Sequence, residues 1–192
     1  MKRRTYFRKR KSIFKRKELY TYLVGIFIIM LMVLSVVNLN SDEPEQVEYN
    51  GLTFVATESG FLAYTEEGEQ VVVLSNPEEL KELEIEEISL GSLTSLSKMY
   101  ISLNPEDNYR NAVYDFYNNI ELSTWTTEAC YEDNELCSTL PIKTCEDATE
   151  SIGVIIFKED NETILSLDDN CLTIQGKDLL KVTDKLILDQ YG

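Results

Sequence analysis

The sequence predicts an α+β (mixed α/β) domain carried behind a single transmembrane helix. Three features predict it. Between Glu18 and Asp42 lie 23 residues without a charge. Beyond them, short β-prone runs interleave with stretches of helical apolar periodicity. All four cysteines, Cys130, Cys137, Cys145 and Cys171, fall in that later part.

The charges are sharply divided. Residues 1–17 hold ten of the 18 Lys and Arg, and no acid precedes Glu18. From residue 38 onward eight basic residues face 33 acids, a net charge of −25 within a chain total of −16. Such polarity points to a membrane surface or a polyanion at the basic end. The uncharged stretch, taken as a helix over residues 19–39, is about 31 Å long and matches the hydrocarbon core of a bilayer. Tyr20 and Tyr22 at its basic end suit the interfacial aromatic belt. The apolar run exceeds that of a signal peptide and no Ala-x-Ala site follows, so the segment reads as an uncleaved anchor. Basic residues flanking a first span stay in the cytoplasm, which puts the N-terminus inside and the C-terminal domain outside the cell membrane. Residues 1–18 are then a basic cytoplasmic tail expected to set topology and touch anionic lipid head groups. They carry no fold or glycine-aromatic pattern that would bind nucleic acid.

Residues 40–48 read as an acidic linker kept extended by self-repulsion. The extracytoplasmic domain, residues 49–192, opens with β-prone runs at 49–57, 61–64 and 70–74. Ser59-Gly60 and Glu66-Glu67-Gly68 separate them, which predicts a three-stranded meander. Asn76-Pro77-Glu78-Glu79 combines a capping residue, a first-turn proline and first-turn acids, and predicts a short helix to about Leu83. A strand at 99–103 runs into a second such device, Asn104-Pro105-Glu106-Asp107. The helix after it places Tyr109, Ala112, Val113, Phe116, Tyr117 and Ile120 on one face, the pattern of a core-facing stripe. Residues 123–147 read as an irregular stretch with three cysteines and Trp125. The continuous apolar run 152–157 predicts a central strand buried on both faces. Strands at 163–167 and 171–174 form a hairpin across Asp168-Asp169-Asn170. A last helix over 178–190 turns Leu179, Val182, Leu186 and Ile187 inward. This order implies a mixed sheet with two to three helices packed on it. It is similar to a thioredoxin-like topology, an analogy of fold that carries no function.

An even number of cysteines in an oxidising compartment reads as two disulfides. Three pairings are open. The short separation favours Cys130–Cys137, which leaves Cys145–Cys171. The spacings do not match structural zinc sites, there is no C-x-x-C, and the chain has no histidine. Ser-His-Asp, Cys-His and His-metal chemistry are thereby excluded, and G-x-S-x-G, P-loop and dinucleotide fingerprints are missing. No cofactor is expected. The turns Glu159-Asp160-Asn161 and Asp168-Asp169-Asn170 gather acids but lack the EF-hand spacing, and they read as plain turns. Asn161-Glu162-Thr163 is an acceptor sequon, which makes Asn161 a candidate for glycosylation.

Several segments together resemble the small single-pass membrane proteins of archaea with a four-cysteine extracytoplasmic domain. They are the basic tail with one anchor, Tyr49-Asn50-Gly51-Leu52-Thr53-Phe54, the loop from Ala129-Cys130 through Cys137 to Cys145, Val154-Ile155-Ile156-Phe157-Lys158, and Asn170-Cys171-Leu172-Thr173-Ile174-Gln175-Gly176. The resemblance spans most of the chain and implies no activity. The expectation is a binding or structural module displayed outside the membrane, or a subunit of a membrane complex. The alternative is an extracytoplasmic enzyme that uses carboxylates or a metal.

Overall fold

The computed structural model describes residues 16–39, 45–122 and 124–191, with side chains from residue 19 to 35 and from 45 onward. Most of the basic tail, residues 40–44 of the predicted linker, Ser123 and Gly192 lie outside the described residues. The chain divides into two compact units, Met1–Glu43 and Pro44–Gly192.

The first unit contains the helix α1 (Arg16–Leu39). Its described apolar side chains point into open surroundings, among them Ile26, Phe27, Ile29 and Met32, each more than half exposed. Among the described residues no helix is long and apolar enough to cross a membrane. The predicted span is corrected to that extent.

The second unit begins with a four-stranded antiparallel meander, β1 (Gln46–Tyr49), β2 (Leu52–Thr57), β3 (Gly60–Tyr64) and β4 (Gln70–Val73), in that spatial order. The sequence reading gave three strands because 49–57 looks like one run. Asn50 (φ 45°) and Gly51 (φ 81°) instead make a two-residue hairpin turn. Both residues must adopt left-handed backbone, which Asn-Gly tolerates best. Strand β1 thus takes in residues 46–48, which had read as linker.

The short helix α2 (Pro77–Leu80) forms where expected, with the Asn76 side chain accepting from the Glu78 N–H at 2.9 Å. A 3-10 segment, Leu90–Ser95, then leads into β5 (Lys98–Leu103). The second Asn-Pro device does not start a helix. Asn104 is buried, and its side chain is shared between the Glu106 N–H, Asn134 and Glu132. Helix α3 (Arg110–Asn119) begins only after this turn. The stretch read as irregular contains a strand, β6 (Thr126–Cys130), parallel to β5. Then come β7 (Ile152–Glu159), β8 (Ile164–Asp168), β9 (Cys171–Gly176) and α4 (Leu179–Asp189).

The second sheet has the order β6-β5-β7-β9-β8. Strands β6, β5, β7 and β9 run parallel, and only edge strand β8 opposes them. A thioredoxin-like sheet would need an antiparallel strand beside β5 in the place of β7, so that analogy does not extend to this topology. Central strand β7 is buried on both faces, as its apolar run predicts.

The two sheets enclose the helices. Met99, Ile101, Leu103, Ile155, Phe157 and Ile174 cover one face of the second sheet, and Phe116 of α3 with Val182 and Leu186 of α4 pack on them. The opposite side of α4 sends Ile187 and Leu188 against Phe54, Val71 and Val73 of the meander. The other face of the second sheet, with Val154, Ile156 and Cys171, is covered by Tyr131 and Ala148. Layers therefore run meander, helices, sheet, disulfide-braced loop.

Candidate functional site

Three places in the second unit collect polar chemistry. The first lies between α3, α4 and the free edge of β4. The Asn119 side chain accepts from the Val72 N–H at 3.2 Å and donates to the Val72 carbonyl at 2.8 Å, imitating a neighbouring strand. Asp115 accepts from the Leu74 N–H at 2.9 Å, and Asp184 accepts from the Ser75 N–H at 2.7 Å. An unpaired strand edge exposes backbone groups that must be met by something. Here two helices meet them with carboxyl and amide groups. These residues lie off the apolar stripes that the sequence shows on α3 and α4. The meander covers them, so Asp115 and Asp184 are buried.

Burial pushes both carboxyls above their ordinary range. The hydrogen bond and negative charge of Asp115 push Asp184 further, to about 8. Asp184 Oδ1 has no other partner among the described residues, as fits an oxygen that keeps a proton and faces Asp115. A carboxyl whose folded value is raised binds more protons folded than unfolded, so it loses stability as pH rises from about 4 towards 8. Asp184→Asn keeps an acceptor for Ser75 and a donor for Asp115. Thermal unfolding from pH 5 to 9 is expected to show a flatter profile for this variant, with a gain of more than about 1 kcal/mol over the native chain at pH 8. An unchanged profile would place the shared proton elsewhere. Each carboxyl is buried and already binds backbone, Asp115 at the floor of a pocket of about 370 Å³ lined also by Tyr114 and Asn118.

The second place is the carboxyl end of the parallel strands, beside the point where connections from β5 diverge, the usual ligand position in open α/β sheets. It is filled by the chain itself. Tyr131 donates to Asp107 Oδ2 at 2.7 Å, which also accepts from the Glu159 N–H at 3.0 Å. Glu159 returns the bond by accepting from the Asn108 N–H at 2.9 Å. Burial, with the Asp107 carboxylate beside it, holds the Tyr131 phenol well above its ordinary range. No cluster of three or more His, Cys, Asp or Glu is arranged to hold a metal ion among the described residues. The turn at Asp168-Asp169-Asn170 joins β8 to β9, and Asn170 donates to the Thr149 carbonyl at 2.7 Å. Asn161 lies exposed in the turn before β8.

The third place is a groove of about 910 Å³ at the carboxyl ends of α3 and α4. Glu69, Tyr117, Glu121, Gln190 and Tyr191 line it, and it continues past Leu122, Thr124 and Thr126 to Trp125. Trp125 is 90% exposed and Tyr117 42%. Tyr117 donates to Thr126 Oγ1 at 2.7 Å and Tyr191 to the Asn119 carbonyl at 3.2 Å. Burial, followed by the nearby Glu69 and Glu121, raises the Tyr191 phenol. Sequence reasoning missed this groove because three distant segments build it, and Trp125 is its one visible sign.

The cysteines pair as Cys130–Cys137 and Cys145–Cys171, with no free thiol among the described residues. The second bridge ties the loop between β6 and β7 to the start of β9. Ser102 donates to the Lys143 carbonyl at 2.6 Å and adds a second tie. No protein-family model, curated protein or solved structure matches the chain.

Proposed function

We propose that the chain is a membrane-anchored binding module whose disulfide-braced α+β domain stands outside the cell membrane. The observation that carries this reading is the run of exposed apolar side chains on α1, among them Leu23, Ile26, Phe27, Ile29 and Met32. A continuous apolar surface of that extent needs a lipid or protein partner. The sequence stays uncharged through Leu39, which extends the same helix to about 31 Å over residues 19–39. The basic tail favours a cytoplasmic N-terminus and contact with anionic head groups. Two disulfides fit an oxidising exterior. Binding is favoured over catalysis because the buried carboxyls serve backbone groups and the carboxyl end of the sheet is closed by its own side chains. Association with a larger membrane complex would use the groove at the ends of α3 and α4. Labelling of engineered cysteines on either side of residues 19–39 in intact cells tests the reading.

A further inference from the structure

The groove at the ends of α3 and α4 combines four features that favour one kind of occupant. Its walls carry the carboxylates Glu69 and Glu121, and among the described residues no Lys or Arg lines it. None of its lining residues takes part in an ion pair among the described residues, although Lys185–Asp189 closes the end of α4 behind it. Two helices end at it, and neither has a basic residue in its last turn. Helix carboxyl ends carry partial negative charge and favour cations. Among the described residues their terminal carbonyls are met by neutral donors: the Tyr191 hydroxyl on Asn119, the Gln190 side chain on Leu186, and the backbone N–H groups of Ile120, Gln190 and Tyr191 on Phe116, Ile187 and Leu188. Exposed Tyr117 and Trp125 add aromatic faces, which attract ammonium and guanidinium groups.

Strand β6 forms the rim beside Trp125. It pairs with β5 on one side. Among the described residues its outer side is met by backbone at Cys130, which bonds to the 141–143 segment. An open edge next to a groove is the arrangement that extended peptides use to add a strand while placing side chains in pockets. Exposed Glu128 stands on that edge.

From this combination we infer that the groove and the β6 edge bind an extended, Lys- or Arg-bearing peptide segment of a partner protein. The main chain pairs with β6, and its cationic side chains reach Glu69, Glu121 and the rings of Tyr117 and Trp125. The net charge of −25 beyond the anchor steers a cationic partner towards the domain. The inference rests on the reading of the chain as a binding module.

Trp125 is the sole tryptophan of the chain and reports on its own site. The test titrates purified full-length protein in mild detergent with an acetylated, tryptophan-free octapeptide of alternating Lys or Arg and Val. Matched peptides carry Gln or Glu in the cationic positions, and spermine serves as a free polycation. The expected result is a saturable blue shift and reduced iodide quenching with the basic peptide alone. Its affinity should fall about tenfold in E69Q/E121Q and with rising salt, while the circular dichroism and Tm of that variant stay native. Equal binding of the Gln peptide, equal binding of spermine, unchanged affinity in the variant, or no shift at millimolar peptide would each overturn the inference. Orientation in the membrane is read by cysteine labelling alone, so failure here leaves that reading intact.

Discussion

Phe116→Ala is expected to destabilise the domain by about 3–5 kcal/mol. The Phe116 ring is fully buried where α3 meets the second sheet, and it contacts Phe157 edge to face at 5.8 Å between centroids. Phe157 lies on β7, the strand buried on both sides, so the cavity left by alanine opens at the centre of the larger core. Surrounding side chains come from α3, α4, β5 and β7, and close packing leaves them little room to collapse inward. The loss is a large share of a usual domain stability of about 5–15 kcal/mol. Tyr117→Ala, one residue along, should cost less than about 1 kcal/mol, because that ring lies at the groove surface with its hydroxyl on Thr126. Denaturant unfolding of both variants checks the pair. Similar losses for the two would mean that α3 is rotated from the orientation described.

Removal of the Cys145–Cys171 bridge, as Cys145→Ser with Cys171→Ala, is expected to cost about 3–4 kcal/mol by loop-closure entropy. The two cysteines are 26 residues apart. The crossover they brace links two parallel strands without an α-helix, an uncommon solution for a connection of this length. Without the bridge, the loop would hold to the back of the sheet through Ser102 and the contacts of Tyr131 and Ala148. Removal of Cys130–Cys137, with a separation of 7, should cost about 2.5 kcal/mol by the same relation. Thermal unfolding should show a Tm lower by roughly 10 °C for the first double variant. A fall below about 3 °C would show that hydrogen bonds and packing suffice to hold the loop.

Elements with strong local signals were legible in the sequence. The stripe through Ala112 and Phe116, the apolar run of β7 and the Asn76-Pro77 cap all sit where their patterns place them. Strand β6 was not legible, because Thr126-Thr127-Glu128-Ala129 has one open side and needs few apolar residues. The Asn50-Gly51 turn was visible but was absorbed into a run of β-prone neighbours. Asn104 has every local mark of a helix cap and accepts from the Glu106 N–H, yet its side chain also bonds Glu132 and Asn134, and the helix starts only at Arg110. The largest gap is the second face of the helices. Asp115, Asn119 and Asp184 look solvent-facing because periodicity reports one apolar stripe, and nothing local says that a second sheet will cover the other side. The disulfide pairing followed from separation. The groove could not, since its walls come together only when α3, α4 and β6 are in place.

The most direct test of the membrane-anchored reading is labelling of single engineered cysteines in intact cells that make the full chain. Glu67→Cys lies in the exposed turn between β3 and β4, and Thr5→Cys lies in the basic tail. The four native cysteines are bridged, so a membrane-impermeant maleimide reads only the new thiol. The thiol at position 67 is expected to react in intact cells, and the thiol at position 5 only after lysis. Labelling at position 5 in intact cells, or protection at position 67 until lysis, would contradict it.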